Sequence, residues 1–103
     1  MSSASKQTEV VTAVSTGWTQ LDITPLNPRS YVEVLNNDTT QSVGIVITSG
    51  TAPTSGLAWN QGRQVMKGDS LPIVPAGQQC AVYARTESGP MSAGAALILC
   101  EWS

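Results

Sequence analysis

The sequence predicts an all-β protein, a single-domain β-sandwich or jelly roll of about eight short antiparallel strands. Three observations carry the expectation. Turn signals built from Gly, Pro, Asn and Asp recur about every eight to twelve residues, the runs between them are rich in β-branched side chains, and no segment keeps a helical period beyond a turn or two. At 103 residues the chain suffices for one modest core. No internal repeat is visible.

Met1 to Lys6 are small and polar and read as a mobile arm over residues 1–7, with the sandwich occupying 8–103. The first strand is expected over Thr8 to Val14 and the second over Trp18 to Ile23, where Thr19, Leu21 and Ile23 alternate with Trp18, Gln20 and Asp22. Pro25 and Pro28 then enforce a connection. Ser30 to Asn36 forms a strand with Val32 and Val34 on one face and Tyr31, Glu33 and Leu35 on the other. Residues Asn36 to Gln41 supply a polar turn, and Ser42 to Thr48 completes a hairpin of high β-branched density.

Ser49 to Gln61 is too long and too rich in Gly, Pro and Ser for a tight turn. It reads as a surface loop carrying Leu57 and Trp59. Gly62 to Met66 and Ser70 to Val74 are short strands, and Pro72 confines the latter to an edge or a bulge. The terminal quarter reads as a hairpin centred on Pro90, in which Cys80 faces Cys100, Val82 faces Ile98 and Ala84 faces Ala96. Its second face, with Ala81, Tyr83, Leu97 and Leu99, is also apolar. An exposed strand pair should alternate more strongly, so either a further layer of the chain or another protein covers it.

Composition excludes several chemistries. The chain has no histidine, which removes a Ser-His-Asp triad, a Cys-His pair and any histidine-based metal site. The carboxylates Asp22, Glu33, Asp38, Asp69, Glu87 and Glu101 sit singly, mostly at strand ends or turns, where solvated acids are expected, and no glycine motif forms a phosphate loop. Gly44, Gly50 and Gly56 read as turn chemistry. The sequence therefore points away from an enzyme and calls for no cofactor. The net charge of −2 and the scattered Lys6, Arg29, Arg63, Lys67 and Arg85 argue against sequence-independent nucleic-acid binding. No apolar run approaches a membrane span and the N-terminus lacks a secretory h-region, so a soluble product made in the cytoplasm is expected. There, Cys80 and Cys100 are more commonly thiols than a disulfide, although the expected register leaves a bridge open.

The aromatic set is Trp18, Trp59, Trp102, Tyr31 and Tyr83, with no phenylalanine. Trp18 and Trp102 are expected to cap the sandwich. Trp59, on its loop with Asn60, Gln61 and Arg63 nearby, is a candidate contact residue, either as a platform for a sugar ring or as an anchor in a protein interface.

The segments Tyr31 to Asn37, Val43 to Ile47, Lys67 to Ile73, Pro75-Ala76-Gly77 and Ala81 to Ala84 together resemble the small all-β minor virion proteins of tailed bacteriophages, especially capsid decoration or cement proteins. The resemblance covers roughly Ser30 to Trp102. It implies a structural protein on the capsid exterior, assembled in the host bacterial cytoplasm, that stabilises adjacent subunits of the major capsid protein as a homo-oligomer, a trimer before a dimer. On that reading Tyr83, Leu97 and Leu99 serve self-association, while the N-terminal arm and the loop with Leu57, Trp59, Asn60 and Arg63 touch the shell or a neighbour. The alternative is a carbohydrate-binding module or fibre-tip domain built on Trp59. A tail or head-completion component shares the same sequence features.

Overall fold

The computed structural model describes residues 5–11, 14–91 and 96–103. Among these residues are eight strands, β1 (Ser5–Val11), β2 (Thr19–Gln20), β3 (Tyr31–Asn36), β4 (Val43–Thr48), β5 (Arg63–Val65), β6 (Ser70–Pro75), β7 (Ala81–Thr86) and β8 (Ala96–Trp102), with one 3-10 turn at Trp59–Gln61. They form two four-stranded antiparallel sheets, of order β1-β8-β3-β6 and β2-β7-β4-β5. Every link except β4 to β5 crosses from one sheet to the other. This strand order is that of a jelly roll. We call the sheets A and B respectively.

Alternation decides which side chains meet between the layers. Val32 and Val34 of β3, Leu71 and Val74 of β6, and Leu97 and Leu99 of β8 project from sheet A; Val43 and Ile45 of β4, Val65 of β5, and Val82 and Ala84 of β7 project from sheet B. Val14, Leu21 and Met91 close the core from the connections. Each large aliphatic side chain buried here contributes about 1.5–3 kcal/mol, and among the described residues the cluster between the sheets holds no aromatic ring.

Two expected hairpins are not formed. β7 and β8 lie in different sheets, β7 between β2 and β4 and β8 between β1 and β3. Val82 and Ala84 thus share the core with Leu97 and Leu99 from the opposite layer, and each strand gains two hydrogen-bonded neighbours instead of one. Cys80 does not face Cys100, and both are free thiols. β3 and β4 also part company, because the Asn36 side chain ties the turn to both layers. Its Nδ2 donates to the carbonyls of Gln41 (2.8 Å) and Val65 (3.2 Å), and its Oδ1 accepts from Asp38 N (3.0 Å). Asp38 Oδ1 in turn accepts from Thr40 N at 2.8 Å.

The first strand starts earlier than expected, so Ser5, Lys6 and Gln7 belong to β1 rather than to an arm; Met1 to Ala4 lie outside the described residues. β6 behaves as Pro72 requires. It is an edge strand, and its register against β3 slips between Val32 and Val34, which places a bulge at Pro72 and Ile73.

Candidate functional site

The two outer faces of the sandwich differ, and the difference begins with Gly44 in the middle of β4. A Cβ there would lie 1.9 Å from the Trp59 carbonyl oxygen. Gly44 is therefore where the loop after β4 lies down on sheet B, and turn chemistry does not explain it. The Leu57 carbonyl fastens that loop, accepting from Trp18 Nε1 (3.1 Å) and from Arg85 Nη1 (2.7 Å), while the Arg85 guanidinium sits 5.8 Å from the centroid of the Trp18 ring. The latter geometry is a cation–π contact. Gln61 Oε1 accepts from Ala58 N at 2.7 Å and tightens the 3-10 turn. The loop expected on the surface thus forms a cover on sheet B.

Sheet A has an open outer face. Successive cross-strand rows on it are Pro75, Tyr31, Trp102 and Ser5; Glu33, Cys100 and Gln7; and Ser70, Leu35 and Ile98. Tyr31 is 46% exposed and Ile73, on the adjoining β6, 55% exposed. Cys100 lies in the middle row, buried, with Gln7 Nε2 at 3.8 Å from its Sγ. Burial, and secondarily the negative charge of Glu33, push its thiol pKa above the ordinary 9.0. A thiol held protonated is a poor nucleophile.

One end of the sandwich is fixed by charge. Arg29 Nη1 lies 2.9 Å from Asp22 Oδ2 and 3.0 Å from Glu101 Oε2, with all three side chains fully shielded from solvent. The rest of the guanidinium donates to the carbonyls of Ala76 (3.1 Å), Gly77 (2.7 Å) and Cys80 (2.9 Å). Asp22 Oδ1 accepts from Val82 N (2.9 Å) and Glu101 Oε2 from Leu26 N (2.9 Å). The cluster joins the β2–β3 connection, the β6–β7 turn and β8. Glu101 Oε1 has no partner among the described residues. Lys6 Nζ donates to the Thr24 carbonyl beside this cluster. Asp22, Asp38 and Glu101, expected to be solvated acids, are buried.

The sequence-predicted interface residues fare unequally. Leu97 and Leu99 have no solvent exposure and belong to the core, so they are not a surface for self-association. The hairpin expected from the sequence turns this face outward, whereas the placement of β7 and β8 in different sheets turns it into the core. Tyr83, 8% exposed, sits on the outer side of sheet B between Gln20 and Val46 in register and is likewise buried. Leu57 acts through its carbonyl. Trp59 is half-buried, and Asn60 and Arg63 are exposed.

A side groove of about 550 Å³ opens where sheets A and B meet at their edges, lined by residues including Val46, Ile47, Gln61, Arg63, Val74 and Pro75. Trp59 and Asn60 do not line it, so the four loop candidates do not converge on one cleft as a sugar platform requires. Among the described residues no group of three or more His, Cys, Asp or Glu is placed to hold a metal ion. Sequence reasoning missed the Arg29 cluster. A signal existed in Glu101, which continues the inward alternation of Leu97 and Leu99 inside an apolar strand and so needed a cation beside it. No family model, curated protein or solved structure matches the chain.

Proposed function

We propose that this protein is a structural assembly module of the capsid-decoration type, which associates with copies of itself and with the major capsid protein on the exterior of a phage head. It has no catalytic step to perform. The observation that carries the reading is the contrast between the two sheets. The chain spends its one long loop covering sheet B and leaves Tyr31 and Ile73 exposed on sheet A, beside Trp102 and Pro75. Of the four large apolar side chains that stand exposed among the described residues, Tyr31 and Ile73 share this face while Ile23 and Met66 stand singly elsewhere, and two on one face favour an interaction surface more than single scattered ones do.

The size of that face sets its strength. Four strands about 4.8 Å apart and about six residues long at 3.3 Å per residue give roughly 400 Å² in projection. A standard interface takes about 800 Å² from each partner, so this face supports weak association between free copies. On a capsid lattice each copy also touches the shell, and contacts made at once multiply without any single one being strong. Replacing Leu97 and Leu99 by this face as the self-association surface keeps the homo-oligomer, trimer before dimer, as the expected state on the lattice.

Light scattering over a concentration series tests the first half. The mass should rise above 10.8 kDa with concentration, and the exposed-site double variant Tyr31→Lys, Ile73→Lys should stay folded and monomeric. A wild type that remains at monomer mass throughout, or a mass rise the double variant leaves intact, overturns the choice of face. The second half is tested by sedimentation with undecorated heads assembled from the major capsid protein of the same virus. Saturable, stoichiometric binding is expected, and its absence removes the decoration reading.

A further inference from the structure

We propose that the side groove accepts an extended, acidic segment of a partner polypeptide as an added strand on β4. The site follows from unequal strand lengths. β4 pairs with β7 along Val43 to Thr48, but with β5 only over Val43 to Ile45. Upstream of Arg63 the chain turns away at Gly62, where a Cβ would lie 2.7 Å from the Ile45 carbonyl oxygen, and rises into the 3-10 turn that covers sheet B. Val46, Ile47 and Thr48 therefore have no strand partner on the β5 side among the described residues. An unpaired stretch of edge backbone is a template for another strand.

Three features fix what the groove takes. Across it stands the edge of β6, where Pro72 and Pro75 carry no N–H, so main-chain pairing is directed to β4. The half-buried Ile47 and Val46, with Val74 opposite, offer apolar contact to alternate side chains of an extended segment. Among the described residues, Arg63 is the one charged residue lining the groove. It is exposed and forms no ion pair among the described residues, so it favours a carboxylate on the incoming strand. A volume of about 550 Å³ falls within the range of binding clefts.

The inference rests on the groove and not on association through sheet A. The background for the test is therefore the wild type at a concentration where light scattering gives the monomer mass, because Ile73 adjoins Val74 on the β6 wall of the groove and a lysine there would itself attract the Glu peptide. The probes are acetyl-Ser-Val-Glu-Val-Thr-amide, the same peptide with Lys in place of Glu, and the Glu peptide N-methylated at alternate amides. Binding is read by NMR titration and by amide hydrogen exchange. The Glu peptide should shift amides of residues 45–48 and 61–63 saturably and slow exchange at Ile47 or Thr48 at least tenfold. The Lys peptide and the methylated peptide should each bind at least tenfold more weakly. Arg63→Glu, a change at an exposed position, should reverse the preference between Glu and Lys peptides. Equal binding of all three peptides, shifts confined to other surfaces, or no shift at millimolar peptide overturns the proposal. So does protection of Ile47 and Thr48 that grows with protein concentration alone, which would make a second copy the occupant.

Discussion

Replacing Arg29 by methionine should remove a large part of the stability of this fold. The aliphatic stem is preserved in volume, but Asp22 and Glu101 are left as two carboxylates with no solvent exposure and no cation between them. Breaking a buried pair in this way costs about 3–5 kcal/mol. The carbonyls of Ala76, Gly77 and Cys80 also lose their donor, and the buried one, that of Ala76, adds about 1–3 kcal/mol when left bare. A domain of this length is stable by about 5–15 kcal/mol in all, so Arg29→Met should be marginally folded or unfolded at 25 °C. The triple variant Arg29→Met, Asp22→Asn, Glu101→Gln removes all three charges, while the amide oxygens can still accept from Val82 N and Leu26 N. It should therefore recover at least about 2 kcal/mol relative to the single variant, as expected when a buried charge cluster is neutralised as a unit. Urea denaturation followed by tryptophan fluorescence measures both. A loss below about 1.5 kcal/mol for Arg29→Met, or a triple variant no more stable than the single one, would refute the reasoning that the cluster is held by compensation of charge.

Leu97→Ala should cost about 2–5 kcal/mol, as for a fully buried leucine, and Leu97→Asp should fail to fold; a folded Leu97→Asp monomer in a thermal melt would return this residue to a surface role. Cys100 should react with a thiol reagent more slowly than the half-buried Cys80, and Glu33→Gln should speed its reaction, because removing that negative charge lowers the thiol pKa; an unchanged rate would mean that burial alone controls access. The same raised pKa implies stability present below the ordinary thiol pKa of 9.0 and lost as pH climbs through the folded value; alkaline melts should show that fall in the wild type, and Cys100→Ser, which has no thiol to ionise, should flatten it.

The positions of strands were legible in the sequence, and their partners were not. The alternation at Val32 and Val34 and the proline at 72 each constrain one strand locally, and the structure agrees with both. A period of two records which side of a strand is buried but not which sheet the strand joins. In β8, apolar on both sides, the period does not select the inward face: a hairpin pairing Val82 with Ile98 fits the pattern as well as the observed arrangement, in which Leu97 and Leu99 meet Val82 across the core and Ile98 lies on the outer face. The choice is made by Asn36, whose amide reaches Val65 across the turn, and by Arg29, whose partners lie 7 and 72 residues away along the chain. Contacts of that separation do not name their partners locally: Glu101 on an apolar strand signals that a cation is needed, but not that Arg29 supplies it. Gly44 is an intermediate case. A glycine inside a β-branched strand is a mark of close backbone approach, but the sequence does not say that Trp59 is what approaches.

The covering of sheet B and the opening of sheet A have one cause. A jelly roll of this length has one connection that stays within a sheet, from β4 to β5, and it is also the long loop. Because Gly44 lets the loop lie flat and Arg85 binds the Leu57 carbonyl, the loop is withdrawn from the edge of the sheet. That leaves β5 only three residues long and exposes the end of β4. The same withdrawal leaves sheet A with only its own side chains to face solvent. The covered face, the open groove and the uncovered apolar face are therefore not independent. A Gly44→Val change that lifts the loop should disturb the groove through Gly62 and Arg63 while leaving the Tyr31 face as it is, which separates the two proposed contact surfaces by a single substitution.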